Sequence, residues 1–236
     1  MTIRYSAASH IGRVRKVNED SILSLPDQKI WVVADGMGGH AAGDFASQTI
    51  VDTIAMIEPD LPPGELMRGL RQTIMQAHAT ISAAAEERFH GTVGATVVAL
   101  ILTDEHFVAL WAGDSRLYRF RAGKLEMLTT DHSLVAELVL SGELTWDQAE
   151  QHPQSNAITR AVGVGETLEL DKIRGDVASG DRFLLCSDGL TKYATFNTLA
   201  SMLNGTPIET VADRLTNFAL DAGGADNISI IVVDVV

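Results

Sequence analysis

The sequence predicts an α+β fold: an antiparallel β-sandwich of two sheets, covered by helices. Short apolar segments of strand length arrive in runs, and turns such as Thr103-Asp104-Glu105 and Ala122-Gly123 join many of them as antiparallel hairpins. Helical periodicity appears in blocks inserted between those runs, a pattern that favours helices laid on a sheet core over an alternating βαβ chain. No repeat, low-complexity tract or long linker divides the 236 residues, so residues 1–236 are expected to form one domain.

Strands are predicted at residues 4–9, 21–25, 30–34, 95–102, 106–112, 117–121, 124–128, 168–177, 182–186 and 227–235. Helical spacing of Phe45, Thr49, Ile50, Ile54 and Ile57 predicts a helix over 43–57. Leu66, Leu70, Ile74, Ala77 and Ile81 predict another over 65–88, and a third covers 208–221. Residues 133–140 and 145–151 read as two short helices, but Gly142, Pro153 and Asn156 interrupt the pattern. The segment from about 133 to 165 is therefore expected to be a small flap over one face.

Composition narrows the function. The apolar share of 46% and charged share of 21% are those of an ordered globular protein. A formal net charge of −13, from 31 acids and 18 bases, disfavours nucleic acid and anionic membrane surfaces as partners. One cysteine, Cys186, excludes an internal disulfide and sits in an apolar run, as a buried inert thiol would. No signal-peptide core or membrane-length apolar run is present, so the expectation is a cytoplasmic protein without membrane insertion.

The chemistry is concentrated where apolar runs end in acids. Residues 30–40 read Ile-Trp-Val-Val-Ala-Asp-Gly-Met-Gly-Gly-His, and Asp35 closes the run. The pattern recurs at Asp188 after Phe183-Leu184-Leu185-Cys186-Ser187, and at Gly113-Asp114 after residues 108–112. A carboxylate at the exit of a buried strand is costly unless a positive charge compensates it. Three such aspartates suggest one shared divalent-metal site. With Glu19, Asp20 and Asp226 the candidates form an all-oxygen set suited to Mg²⁺ or Mn²⁺, and no Cys/His spacing suits zinc. Two ions sharing a carboxylate can hold a water between them and aim it at phosphorus, with Arg15 as the natural fork for phosphoryl oxygens. Each Asp-Gly pair taken singly is also a common turn signal.

Together these motifs resemble the metal-dependent protein serine/threonine phosphatases of the PPM type (protein phosphatase type 2C), in their compact bacterial form. The matching residues run through Gly12-Arg13-Val14-Arg15-Lys16-Val17-Asn18-Glu19-Asp20, Asp35-Gly36-Met37-Gly38-Gly39-His40, Gly113-Asp114-Ser115-Arg116, Asp131-His132-Ser133, His152-Pro153, Asn156, Ile158-Thr159-Arg160-Ala161, Ser187-Asp188-Gly189-Leu190 and Asp226-Asn227. The resemblance implies an α-β-β-α sandwich flanked by helix pairs. It implies hydrolysis of phosphoserine and phosphothreonine on proteins by a water bridging two Mn²⁺ or Mg²⁺ ions.

By the same resemblance Asp35 bridges the ions and the Gly36 carbonyl faces the second. Asp188 and Asp226 complete the first ion, and Glu19 and Asp20 ligate or support the second. Asp114 joins Asp188 at a weaker third ion, and Arg15 binds the phosphate. The implied partners are phosphorylated proteins, including a serine/threonine kinase and its substrates, and the implied state is a monomer. One departure stands out. The histidine that directly follows the metal-binding Asp-Gly in the eukaryotic pattern is here Met37, which leaves His40 as the nearest imidazole and candidate general acid. A loop-structuring role for His40 is equally open. A non-catalytic phosphoprotein-binding regulator is the alternative reading, and the intact acid set argues against it.

Overall fold

Among the described residues of the computed structural model, 1–39 and 41–236, eleven strands form two antiparallel sheets. They are β1 (Ile3–His10), β2 (Asp20–Leu25), β3 (Ile30–Met37), β4 (Gly94–Ala95), β5 (Val97–Leu102), β6 (His106–Ala112), β7 (Arg116–Arg121), β8 (Lys124–Met127), β9 (Asp171–Asp176), β10 (Arg182–Cys186) and β11 (Ile228–Val235). One sheet runs β1-β11-β10-β7-β8 and the other β2-β3-β5-β6-β9, with β4 added beside β3. The helices are α1 (Ala41–Ala55), α2 (Pro63–Ala84), α3 (Leu134–Leu140), α4 (Trp146–Ala149), α5 (Asp188–Thr191), α6 (Phe196–Leu203) and α7 (Ile208–Asp221).

The layers follow from side-chain alternation along the strands. On β3, Trp31 and Val33 enter the layer between the sheets, while Ile30, Val32 and Ala34 pack toward α1 and α2. On β11, Ile231 and Val233 share that inter-sheet layer with Phe183 and Leu185, and Ile230 and Val232 face α5, α6 and α7. Both faces of each central strand are therefore covered. That explains why these antiparallel strands read as continuous apolar runs rather than alternating ones.

The predicted helix faces turn inward, although α1 ends at Ala55, before Ile57, and Phe45 and Thr49 are only half-buried beside buried Ile50 and Ile54. Leu66, Leu70, Ile74, Ala77 and Ile81 of α2 are all buried. The α-helical part of that segment ends at Ala84, however, and Ala85–Phe89 form a π-helical turn. Its wider winding still packs Phe89 against Phe45, with ring centroids 5.5 Å apart. The predicted strand over 95–102 is split, because β4 ends at Ala95 and β5 resumes at Val97. The strand predicted over 168–177 is shorter, Asp171–Asp176. Two short helices were not foreseen: α5, and α6, whose Thr195 side chain caps it by accepting from the Thr198 amide.

Residues 133–165 hold α3, α4 and irregular chain, tied to the body at several points. Ser133 pairs with Ile158 and Ala95 with Val162. The Gly163 amide donates to His78 Nδ1 on α2 at 2.9 Å. Beneath the segment, buried Arg116 forks onto Asp131 at 2.6 Å, reaches Glu150 at 2.7 Å and lies over the Trp146 ring at 5.1 Å. Among the described residues no helix is long and apolar enough to cross a membrane.

Candidate active site

The antiparallel pairings bring the strand-end acids together. Asp20 opens β2 and lies opposite Asp35 near the end of β3. Cys186, at the end of β10, pairs with Ile230 near the start of β11, so Asp188 and Asp226 share that end of the second sheet. Val97 pairs with Ala112, which places Asp114 at the same edge of the sandwich. A cleft of about 230 Å³ results, lined by Arg15, Glu19, Asp35, Gly36, Asp114, Asp188, Lys192 and Asp226 among others. Asp20 sits below its floor, buried, where Ser187 Oγ donates to Oδ2 at 2.8 Å. All the predicted site residues except His40 are thus gathered at one end of the sandwich; His40 lies outside the described residues.

The backbone around the cleft is held tightly. The Gly36 amide donates to the Glu19 carbonyl at 3.1 Å, and a Cβ on Gly36 would stand 2.2 Å from the Gly43 carbonyl oxygen. Only glycine fits there. Thr96, the residue that interrupts β4 and β5, accepts the Asp35 amide at its Oγ1 (3.1 Å) and donates its own amide to the Asp35 carbonyl (2.8 Å). Asn227 pins the loop that carries Arg15: its Oδ1 accepts the Glu19 amide, and its Nδ2 donates to the Ile11 and Val17 carbonyls.

Charge in the cleft is unbalanced. Burial pushes the Asp20 carboxyl up to about 7, against the pull of its Ser187 hydrogen bond. Burial, then repulsion from Asp20 and Asp188, drives Asp35 well above the usual carboxylate range. Burial and Asp188 do the same to Asp114. Burial also opposes ionisation of Asp226, but Lys192 and Arg15 overcome it and hold that carboxyl low. Arg15 Nε and Nη2 grip the two Asp226 oxygens, each at 2.9 Å. Lys192 Nζ lies 2.8 Å from Asp188 Oδ2 and 3.0 Å from Asp226 Oδ2.

The donor set suits hard divalent cations. Every candidate ligand is an oxygen, the buried carboxylates repel one another, and Asp20 Oδ1 is buried without a hydrogen-bond partner. Among the described residues no three Asp, Glu, His or Cys side chains already enclose an ion position. Arg15 and Lys192 instead occupy oxygens of Asp188 and Asp226. Lys192 was absent from the sequence-derived set, although it stands four residues after Asp188, a spacing that places both on one helix face. Thr96 and the Asn227 side chain were also missed as supports. Beside the cleft lies a depression of about 350 Å³ that shares Met37 and Ile158 with it and extends past Thr159 and Arg160.

A sequence profile of the protein phosphatase 2C family matches residues 8–228, and the chain belongs to that family. It is 36% identical to the serine/threonine protein phosphatase PstP of Mycobacterium tuberculosis over 237 residues. That alignment covers 100% of this chain and 46% of the relative, so the chain spans about half of that protein's length. The serine/threonine phosphatase stp of Listeria monocytogenes is also 36% identical, with 94% of this chain and 92% of the relative covered. Among solved structures, PppA, a regulatory component of the type VI secretion system (T6SS) of Pseudomonas aeruginosa, superposes with a TM-score of 0.92 at 43% identity, covering 99% of this chain and 98% of that one. The catalytic domain of PstP in complex with two manganese ions gives 0.89 at 35% identity, with 99% and 98% covered. The mixed helix and antiparallel sheet architecture is that of the family.

Proposed function

We propose that the chain is a metal-dependent phosphatase that hydrolyses phosphoserine and phosphothreonine on proteins. The observation that carries this reading is the convergence of Asp20, Asp35, Asp114, Asp188 and Asp226 with Arg15 at one end of the sandwich. Two divalent cations, Mn²⁺ or Mg²⁺, would supply a nucleophile at neutral pH and neutralise the phosphoryl oxygens when bound. In the proposed division of labour Asp35 serves both ions, Asp188 and Asp226 the first, and Glu19, Asp20 and the Gly36 carbonyl the second. Asp114 and Asp188 could hold a weaker third. Two ions in PstP, an all-oxygen donor set here, and the burial and mutual repulsion that oppose ionisation of Asp20 and Asp35 support the assignment.

The protein's own residues would position the substrate. The Arg15 fork, now spread over the two oxygens of Asp226, has the geometry to take two phosphoryl oxygens instead. The depression past Ile158 and Arg160 offers room for chain flanking the phosphoresidue, with residues 133–165 as a flap beside it. His40 keeps its place as candidate proton donor to the leaving oxygen on its position in the chain alone. Phosphoproteins in the cytoplasm, including a serine/threonine kinase and its substrates, are the proposed partners of a monomeric enzyme.

The test is release of phosphate from a phosphothreonine peptide with Mn²⁺, repeated with EDTA and with Asp35→Asn. Both treatments are expected to abolish turnover. Activity that survives both would sink the two-ion reading.

A further inference from the structure

We propose that Lys192 is a tethered counter-ion that competes with divalent metal for the Asp188–Asp226 pair, and so sets the metal affinity of the site. The inference rests on the reading of Asp188 and Asp226 as ligands of one ion. Lys192 caps α5, one turn after Asp188, and its ammonium bridges Asp188 Oδ2 at 2.8 Å and Asp226 Oδ2 at 3.0 Å. A cation held jointly by those carboxylates would have to lie close to where the ammonium is. All three side chains are largely buried, 18–19% exposed, so the charges interact with little screening by water.

Asp226 has no spare capacity. Arg15 takes both of its oxygens, the Asn227 amide donates to Oδ1, and Lys192 shares Oδ2. An incoming divalent ion must displace at least one protein cation, and Lys192 is the one shared by both carboxylates. In the metal-free protein Lys192 balances part of the acidic cleft. In the loaded protein its charge opposes the ion, which lowers affinity and makes occupancy sensitive to the available metal concentration.

The opposite role is also chemically reasonable: an ammonium could hydrogen-bond outer carboxylate oxygens and orient them toward an ion. Loss of such an orienting partner costs about 10–100-fold in metal affinity. The two roles therefore predict opposite signs.

The experiment is Mn²⁺ titration of EDTA-stripped protein, read by calorimetry and by the loss of free Mn²⁺ paramagnetic resonance signal. Wild type, Lys192→Met, Lys192→Gln and a remote charge control, Lys124→Gln on exposed β8, are compared. Both Lys192 variants are expected to bind Mn²⁺ about tenfold tighter or more, whereas Lys124→Gln binds as wild type does. Their melting temperatures without metal fall, and saturating Mn²⁺ raises them by more than it raises wild type. Unchanged or weaker binding by both Lys192 variants, with wild type binding normally, overturns the inference alone. Absence of Mn²⁺ binding by wild type overturns the metal-site reading and this inference together.

Discussion

Asp20 and Asp35 stand opposite one another in register across the β2–β3 ladder, so one buried cross-strand pair holds two carboxyls that resist ionising together. Such pairs destabilise a sheet, and here burial prevents water from screening them. The Ser187 hydroxyl stabilises one oxygen of Asp20 and leaves the other without a partner. A fold that keeps this arrangement stores unfavourable energy at the site, as is common where stability and activity conflict.

Removing one charge should therefore stabilise the metal-free protein. Asp20→Asn retains an acceptor for Ser187 and is expected to gain roughly 2–4 kcal/mol in urea unfolding with EDTA present. With Mn²⁺ the order reverses, because the variant loses a proposed ligand or support of the second ion. A variant less stable than wild type in EDTA would contradict the uncompensated-charge account.

Arg15 separates substrate binding from folding. Its side chain is half exposed and its partner Asp226 keeps Lys192. Arg15→Ala should leave the melting temperature nearly unchanged while kcat/KM on a phosphothreonine peptide falls by about 10²–10³. Arg15→Lys should recover little, since an ammonium keeps the charge and loses the two-pronged geometry. Full activity in Arg15→Ala would remove Arg15 from the phosphate site.

Asp35, Asp114 and Asp188 were legible in the sequence because each closes an apolar run, and an acid there needs a compensating cation wherever the fold places it. The double-sheet core was legible for a related reason. Strands covered on both faces leave long apolar runs, and α2 and α7 show their buried stripes plainly. What was hidden lacks periodicity. A four-residue helix such as α5 has too few positions for a face, so Lys192 could not be placed beside Asp188. Thr96 looked like one residue of a continuous strand, because its exchange of hydrogen bonds with Asp35 depends on tertiary placement. The Asn227 contacts likewise join residues more than two hundred positions apart.

Arg116 holds the 133–165 segment to the sheet through buried charge. Its guanidinium satisfies Asp131 and Glu150 and touches the Tyr118 hydroxyl at 3.3 Å. Arg116→Met leaves two buried carboxylates without their cation and should cost about 3–5 kcal/mol in chemical denaturation. Adding Asp131→Asn and Glu150→Gln to that variant should recover much of the loss, because no uncompensated charge then remains. Failure of the triple variant to recover would mean that specific hydrogen-bond geometry, rather than charge balance, carries the stability.

His78 gives the 133–165 segment a pH-dependent fastening to α2. Its Nδ1 accepts the Gly163 amide at 2.9 Å, and the Glu166 backbone is its other hydrogen-bond partner. Gly163 has φ of +91°, and a Cβ there would meet Ile81 at 2.2 Å, so the turn itself cannot easily shift. Burial disfavours the imidazolium and holds the His78 pKa below 6.5, although the Glu166 hydrogen bond pulls the other way. Between the lowered value and 6.5 the unfolded chain binds more protons than the folded one, so stability rises with pH in that window. The contribution of His78 is complete above about 6.5 and is lost as pH falls, when a protonated Nδ1 can no longer accept from Gly163. Melting temperature should consequently drop more steeply from pH 7 to pH 5 in wild type than in His78→Gln. The protection factor of the Gly163 amide, its exchange rate relative to the intrinsic rate at each pH, should fall over the same interval in wild type. Parallel melting profiles for the two proteins would rule His78 out as the source of that dependence, whatever the absolute stability of the variant.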